Sequence, residues 1–331
     1  MTSVDRLRLM TKIARLYHEQ GIRQPEIAAQ LNISQPMVSR LLRAAQQEGI
    51  VRTTVAVPRG VYPDLEESLE RIYSLKEAIV ADPLSDNDEE ILRDLGSAAA
   101  LYLETTLGAG GEIVGISSWS ETLLRMVASM QPLSRATGSR IVQILGGIGN
   151  PAAEVHATRL TERLAYLLKG EAHFLPAPGV TGSAESSAAV LADPFVAATT
   201  EMFNDLTVAL VGIGALHPSR LLVQSGNIFS EAELDSLEQL GAVGDICLRF
   251  FDAEGQPVQS DFDSRVIAVT LNQLRRVPRS VGIAGGASKL EAIRGALAGG
   301  WINVLITDHF TAERLVAVHG APRESALSAE R

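Results

Sequence analysis

The chain has a single cysteine, Cys247, among its 331 residues. A lone thiol forms no internal disulfide and builds no cysteine cluster around a metal, so disulfide scaffolds and cysteine-based zinc modules are excluded. Aromatic residues are scarce, at 5%. No stretch approaches the roughly 20 apolar residues that span a bilayer. The opening MTSVDRLRLMTK lacks the apolar core of a secretory signal. These absences set the expectation of a cytoplasmic protein without membrane association. A Walker phosphate loop, a Gly-x-Ser-x-Gly elbow and a His-Glu-x-x-His motif are also missing. The six histidines are scattered, and neither a metal nor another cofactor is expected.

What is present is a core-forming composition, 46% hydrophobic and 21% charged. The length suits one small and one large domain. Charge is divided unevenly between them. Residues 1–60 hold nine Lys and Arg against four Asp and Glu, a balance of +5, so the net charge of −10 leaves −15 for the remainder. A basic module on an acidic body points to a small unit that meets a polyanion.

In VDRLRLMTKIARLYHEQG, the residues Val4, Leu7, Met10, Ile13, Ala14 and Tyr17 recur at helical spacing, and Gly21 closes that helix. A second helix fits Pro25 to Leu31, with Ile27, Ala28 and Leu31 inward. After a turn at Asn32 and Ile33, Ser34 is placed to cap a third helix with Pro36 in its first turn. At 100° per residue Val38, Leu41, Leu42 and Ala45 share the inner side, which leaves Pro36, Arg40, Arg43 and Gln47 opposite and Gln35, Met37 and Ser39 beside them. Two helices joined by a short turn, the second polar and basic outside, form a helix-turn-helix able to enter a major groove. Gln35, Pro36, Met37, Ser39, Arg40 and Arg43 are the expected contacts to double-stranded DNA, because Arg and Gln read base edges by paired hydrogen bonds. The rival reading is a protein-docking module with solvated arginines. IVRTTVAV, after Gly49, has the alternation of a strand or small wing. DLEESLERIYSLK, within 61–76, fits a linking helix with Leu65, Leu69 and Ile72 along one side, available as a spacer or a dimer contact.

From about residue 77, short apolar runs alternate with Gly- or Ser-rich loops and amphipathic stretches: EIVGI before SSWSE, RIVQIL before GGIGNP, LTVALV before GIGAL, SVGIA before GGASK, and INVLIT before DHFTAE. Runs apolar on both faces between helical patterns predict an α/β, doubly wound, mostly parallel sheet. CLRFFDAEGQPV adds a β insert, expected as a hairpin around AEGQ. Loops at the carboxyl ends of such strands meet in one crevice, where glycine-rich turns and helix N-termini suit an anion. GIGNPA matches the variant dinucleotide pattern, but the following strand, AHFLPAPG, offers no carboxylate for a ribose.

IAAQLNISQPMVSRLLRAAQQEGIV, VQILGGIGN, EVHATRL, FLPAPGV, GAVGDICLRFFDAEG and VGIAGGASKLEAIRGALAGGWINVLITD span nearly the whole chain and in this order resemble the SorC family of sugar-responsive bacterial transcription regulators. The expected division is a DNA-binding domain at 1–60, a linker helix at 61–76, an effector domain at 77–320 and a flexible tail at 321–331, and the resemblance implies that the effector domain is related in fold to sugar-phosphate isomerases and glucosamine-phosphate deaminases. It implies a phosphorylated sugar or polyol as effector, and a homo-dimer or tetramer. The effector site it implies comprises the phosphate loop Ser118, Trp119, Ser120 and Thr122, the facing Gly146, Gly147 and His156, then Asp245 for hydroxyls, Gly286 and Lys289 in GGASK, and Asp308 at the end of the last strand. Each has a structural alternative: Asp245 as a hairpin cap, Lys289 as a solvated first-turn lysine, Asp308 as a helix N-cap. The family more often has Ser-Trp-Gly-x-Thr where this chain has SSWSET, Glu where it has His309, and Asn where it has Thr158. The expected function is DNA-binding regulation without turnover; the rival is a sugar-phosphate isomerase or deaminase carrying a DNA-binding domain, which would need a base beside the sugar carbonyl.

Overall fold

The structure is a computed structural model that describes residues 3–51, 58–107, 110–134, 137–149, 151–226 and 229–320. The chain divides into two compact units, Met1–Pro58 and Arg59–Arg331.

The first unit consists of α1 (Ser3–His18), α2 (Gln24–Leu31) and α3 (Gln35–Gln47). Met10, Ile13 and Ala14 of α1 pack with Ile27 and Ala28 of α2 and with Val38, Leu41, Leu42 and Ala45 of α3. The inner stripe of α3 is the expected one. That of α1 is narrower: Leu7 and Tyr17 are exposed, and Leu16 is buried in their stead. Asn32 ends α2 in the left-handed region, φ 50° and ψ 48°. Asparagine tolerates that conformation, which lets the chain reverse between two helices within three residues. Ser34 holds the N-cap position of α3, although its hydroxyl makes no cap hydrogen bond. The expected wing falls on residues 52–57, outside the described residues.

The second unit contains α4 (Pro63–Tyr73), β1 (Glu77–Ala81), α5 (Asp88–Thr106), β2 (Ile113–Ile116), α6 (Glu121–Ser129), β3 (Arg140–Gln143), α7 (Pro151–Leu168) and β4 (Glu171–His173). There follow α8 (Ala184–Leu191), α9 (Pro194–Glu201), β5 (Val208–Gly212), β6 (Gly214–Ala215), α10 (Arg220–Ser225), α11 (Glu231–Gln239), β7 (Gly244–Ile246) and β8 (Arg249–Phe251). The unit closes with α12 (Leu271–Arg276), β9 (Arg279–Ile283), α13 (Leu290–Ala298), β10 (Val304–Asp308) and α14 (His309–Gly320). Seven strands form one sheet in the order β1-β10-β9-β5-β2-β3-β4, and every pairing in it is parallel. Successive residues alternate between two apolar layers: Val208 and Leu210 enter one, Ala209 and Val211 the other. Both faces are covered, as the doubly apolar runs require. From β2 the chain winds outward through β3 to β4, then returns to β5 on the other side of β2. The winding direction reverses there, and a crevice opens at the carboxyl ends of β2 and β5.

Three expectations change. The helix expected as a linker belongs to the second unit, where it guards a sheet edge: Glu70 and Glu66 accept the N–H groups of Ala78 and Val80 on β1, at 2.9 and 3.0 Å. Edge strands need such cover. Leu69 is fully buried in that packing, which removes it from the candidate dimer contacts. The insert's main hairpin turns at Cys247 and Leu248, not around AEGQ. Asp245 and Ile246 of β7 pair with Phe250 and Arg249 of β8, and the two loop residues have φ of 54° and 63°. Positive φ at both central positions matches the right-handed strand twist, but glycine or asparagine usually supplies it. AEGQ makes a second, smaller turn, in which Asp252 donates its N–H to Gln256 O at 2.9 Å. The strand expected in AHFLPAPG shortens to Glu171–His173 at the sheet's far edge.

Among the described residues, no helix is long and apolar enough to cross a membrane.

Candidate functional site

A cavity of about 530 Å³ lies in the second unit, where the loops after β2, β3, β5 and β9 converge under the hairpin of β7 and β8. This is the switch-point crevice. Trp119 and Ser120 come to it from the loop after β2, Thr122 from the first turn of α6, Asp245 from β7, and Lys289 from the loop after β9. Ser120 caps α6 by accepting the N–H of Leu123, so the first turn of that helix opens on the cavity with N–H groups that have no intrahelical partner. Asp245 lies against Gly214, where a Cβ would come within 2.1 Å of its Oδ1. Its Oδ2 accepts the N–H of Leu248 at 2.8 Å. The carboxylate thus holds the left-handed turn and also lines the cavity.

The remaining expected residues do other work. Ser118 is fully buried and donates to Leu145 O at 2.7 Å, so it ties two loops together beneath the cavity. Trp119 does likewise through Nε1, 3.1 Å from Gly146 O, while keeping part of its side chain on the cavity wall. Gly146 is glycine because a Cβ there would meet Pro178 O at 2.2 Å; close backbone approach, not ligand contact, explains it. Gly147 and Gly286 do not line the cavity. Gly286 donates its N–H to Asp308 Oδ2 at 3.0 Å and to Thr311 Oγ1 at 2.8 Å. Asp308 is fully buried. Its Oδ1 accepts the N–H of Thr311 at 2.9 Å and its Oδ2 the Thr311 hydroxyl at 2.6 Å. Asp308 therefore caps α14 and anchors the Gly286 loop, the structural alternative of its two readings, and it does not line the cavity. His156 lies in α7, and its side chain is outside the described residues.

Tertiary structure adds two acids to the cavity wall that were not among the expected contacts. Asp88, in the first turn of α5, and Glu121, in the first turn of α6, both line the cavity, as does His217. Burial lowers the pKa of the Lys289 ammonium, while Glu121, Asp245 and Asp88 act the other way. Burial raises the Asp245 carboxyl to about 6, opposed by the Leu248 N–H and the Lys289 charge. The Cys247 thiol, on the same wall, is pushed up to about 12 by burial, far from thiolate reactivity. Lys289 is the one Lys or Arg among the described residues lining the cavity. Carboxylates that accept hydroxyls, a lysine, and free N–H groups at a helix start suit a polyhydroxylated molecule with one anionic end.

The first unit carries a separate surface. Gln35, Pro36, Arg40 and Arg43 are exposed along α3, while Met37 and Ser39 are half-buried. Met37 packs against the small core, so only part of it is open to a partner.

The model described as "Putative sugar-binding domain" matches residues 62–317, and a model described as "Helix-turn-helix domain" matches residues 4–53. The chain is 36% identical to the deoxyribonucleoside regulator of Bacillus subtilis over 94% of this chain and 98% of that protein. It is 31% identical to the erythritol catabolism regulatory protein EryD of Brucella abortus, over 93% of this chain and 96% of that protein. Among solved structures, the full-length sorbitol operon regulator SorC from Klebsiella pneumoniae superposes with a TM-score of 0.71 at 32% identity, covering 94% of this chain and 99% of that one. A helix-turn-helix joined to a sugar-binding α/β unit defines a DNA-binding transcription regulator. The chain belongs to the SorC family of sugar-binding transcriptional regulators.

Proposed function

We propose that this regulator controls a carbohydrate or polyol operon and that its effector is a phosphorylated sugar or polyol bound in the switch-point cavity. The observation that carries this reading is the placement of Lys289, Asp245 and the first turn of α6 on the wall of one cavity. The phosphate lies toward Lys289 and the N–H groups of that turn, where charge and helix dipole act together. Asp245, Glu121 and Asp88 accept hydroxyls. Three carboxylates beside one ammonium disfavour a ligand that is anionic throughout, so the effector carries its charge at one end.

Residues 1–60 bind double-stranded DNA. Gln35, Arg40 and Ser39 contact base edges, Pro36 and the open part of Met37 a thymine methyl, and Arg43 a phosphate. The chain acts as an even-numbered homo-oligomer, because one short recognition helix reads few base pairs and two-fold pairing places two of them about 34 Å apart. Leu65 and Ile72, half-buried on α4, remain candidate contacts. The reading assigns no turnover, since an isomerase would need a base placed beside the sugar carbonyl, and the product arm of the test below decides between the two.

The test is a panel of pentose, hexose and polyol phosphates with their unphosphorylated parents, each incubated with the full chain. Thermal shift scores binding, chromatography scores product, and gel shift on selected operator DNA scores response. Binding confined to phosphorylated members, without product and with changed DNA affinity, is expected. Product formation would establish the enzyme reading, and binding of the parents alone would remove the phosphate.

A further inference from the structure

Helices α8 and α9 follow one another and touch on the second unit, and no residue of either lines the cavity. A surface helix ordinarily turns its apolar stripe inward and its polar side to water. Here the pattern is reversed. In α8 the buried residue is Ser187, whose Oγ has no hydrogen-bond partner, while Ala188, Ala189 and Leu191 are exposed. In α9 only Val196 and Thr199 are buried, while Pro194, Phe195 and Ala198 are exposed. Phe195 leaves 77% of its surface open. Thr199 donates its hydroxyl to Phe174 O at 2.9 Å, which brings another exposed aromatic residue beside α9.

Charge is nearly absent from this face. Residues 186–200 include one charged residue, Asp193, and no Lys or Arg, in a chain that is 21% charged. Asp193 is accounted for as the cap of α9, its Oδ1 accepting the N–H of Phe195 at 2.9 Å. Large apolar groups gathered on a surface mark an interaction site, and the charge pattern says what covers this one. DNA and anionic lipid are held by Lys and Arg, which the face lacks. A basic protein is drawn to the acidic surface elsewhere. Residues 61–331 carry −15, so two copies of this body repel and approach most easily through a face without charge. A patch that meets its own copy about a two-fold axis must complement itself. An uncharged one does so without needing opposite charges to pair.

We propose that a second copy of the chain docks here, with α8 and α9 of one protomer against α8 and α9 of its partner about a two-fold axis. Phe195 is the anchor, and the exposed alanines let the helices approach closely. The inference rests on the even-numbered assembly proposed above, for which it supplies a contact within the second unit, and it is independent of the effector. A two-fold pair built here also has the symmetry that paired recognition helices need.

The test uses the full chain. Phe195→Glu puts a charge at the centre of the face, and Leu84→Glu puts the same charge on a residue 88% exposed that follows β1, at the opposite edge of the sheet from β4. Light scattering coupled to chromatography is expected to give Phe195→Glu half the parent's mass and Leu84→Glu the parent's mass, with both far-ultraviolet spectra unchanged. Cross-linking supplies a second arm that does not depend on dissociation. Cys247 is buried, so Ala188→Cys or Ala198→Cys provides an accessible thiol through which a short bismaleimide joins two chains; Leu84→Cys is expected to give no such product. If Phe195→Glu fails to fold, the cross-link decides. An oligomeric parent whose mass is unchanged by Phe195→Glu, an equal loss of mass in Leu84→Glu, or a loss without a cross-link at either alanine would overturn this interface and leave the assembly reading in place. A parent that is monomeric with and without duplex DNA would refute the assembly reading and this inference together.

Discussion

The two units build their candidate sites in opposite ways. In Met1–Pro58 the candidate surface is one side of one helix, exposed because the other side is the core. In Arg59–Arg331 it is a cavity assembled from segments far apart in sequence, such as those bearing Asp88 and Lys289. Charge divides near the same boundary, +5 for residues 1–60 and −15 for the remainder. A surface built on one helix shares its fate with a small core, whereas a cavity spread over a large sheet can lose one wall residue and keep its frame. Small units bury a lower fraction of their surface and have less stability to spare.

The sharpest way to break this comparison is to open the small core. Ile27→Ala empties a fully buried site and should cost about 2–5 kcal/mol. DNA binding should vanish while the main thermal transition of the larger unit stays within a few degrees. A single transition lowered as a whole would show that the units melt together.

In the cavity, Lys289→Ala should weaken binding of the responding sugar phosphate by about 1.5–3 kcal/mol, the usual worth of a hydrogen bond to a charged group. Ligand-free DNA affinity should be unchanged. Calorimetry checks the first and gel shift the second; unchanged phosphate binding would return Lys289 to the role of a first-turn lysine.

On α3, Arg40→Ala and Gln35→Ala should each lose about 1–3 kcal/mol of discrimination between operator and mismatched duplex. Arg43→Ala should weaken both duplexes alike and reduce the salt slope by about one. Titrations at several salt concentrations separate these, and no change in all three would leave the helix as a docking face.

The smallest effect is a pH dependence. The folded pKa of Asp245, about 6, exceeds the ordinary 3.8. Between those values the folded chain holds a proton that the unfolded chain has released, so this group's contribution to stability is present below pH 3.8 and is lost as pH rises toward 6. Asp245→Asn should flatten that part of the melting profile. Effector affinity should rise over the same window, since the ionised carboxylate is the better acceptor for hydroxyls. An affinity that falls there would exclude Asp245 from hydroxyl binding.

Much of this was legible in the sequence by itself. The inner residues of α3, the turn at Asn32, the five central strand runs and the β insert follow from periods of 3.6 and 2 and from turn chemistry, all properties of neighbouring residues. Five of the eleven residues expected around the effector do line the cavity: Trp119, Ser120, Thr122, Asp245 and Lys289. Tertiary structure alone decided the rest. Loops have no period that says which side chain points into a crevice, so Ser118 and Asp308 turned out to brace it while Asp88, Glu121 and His217 lined it. The left-handed turn at Cys247 and Leu248 has no glycine to announce it, because strand pairing and the Asp245 bond hold residues there that would not choose that conformation. The place of α4 depended on the unpaired edge of β1, a partner fixed only when β10 paired with its other side. Local order is dictated by each residue and its near neighbours, whereas the direction a side chain takes in a loop is set by contacts that do not exist until the sheet has closed.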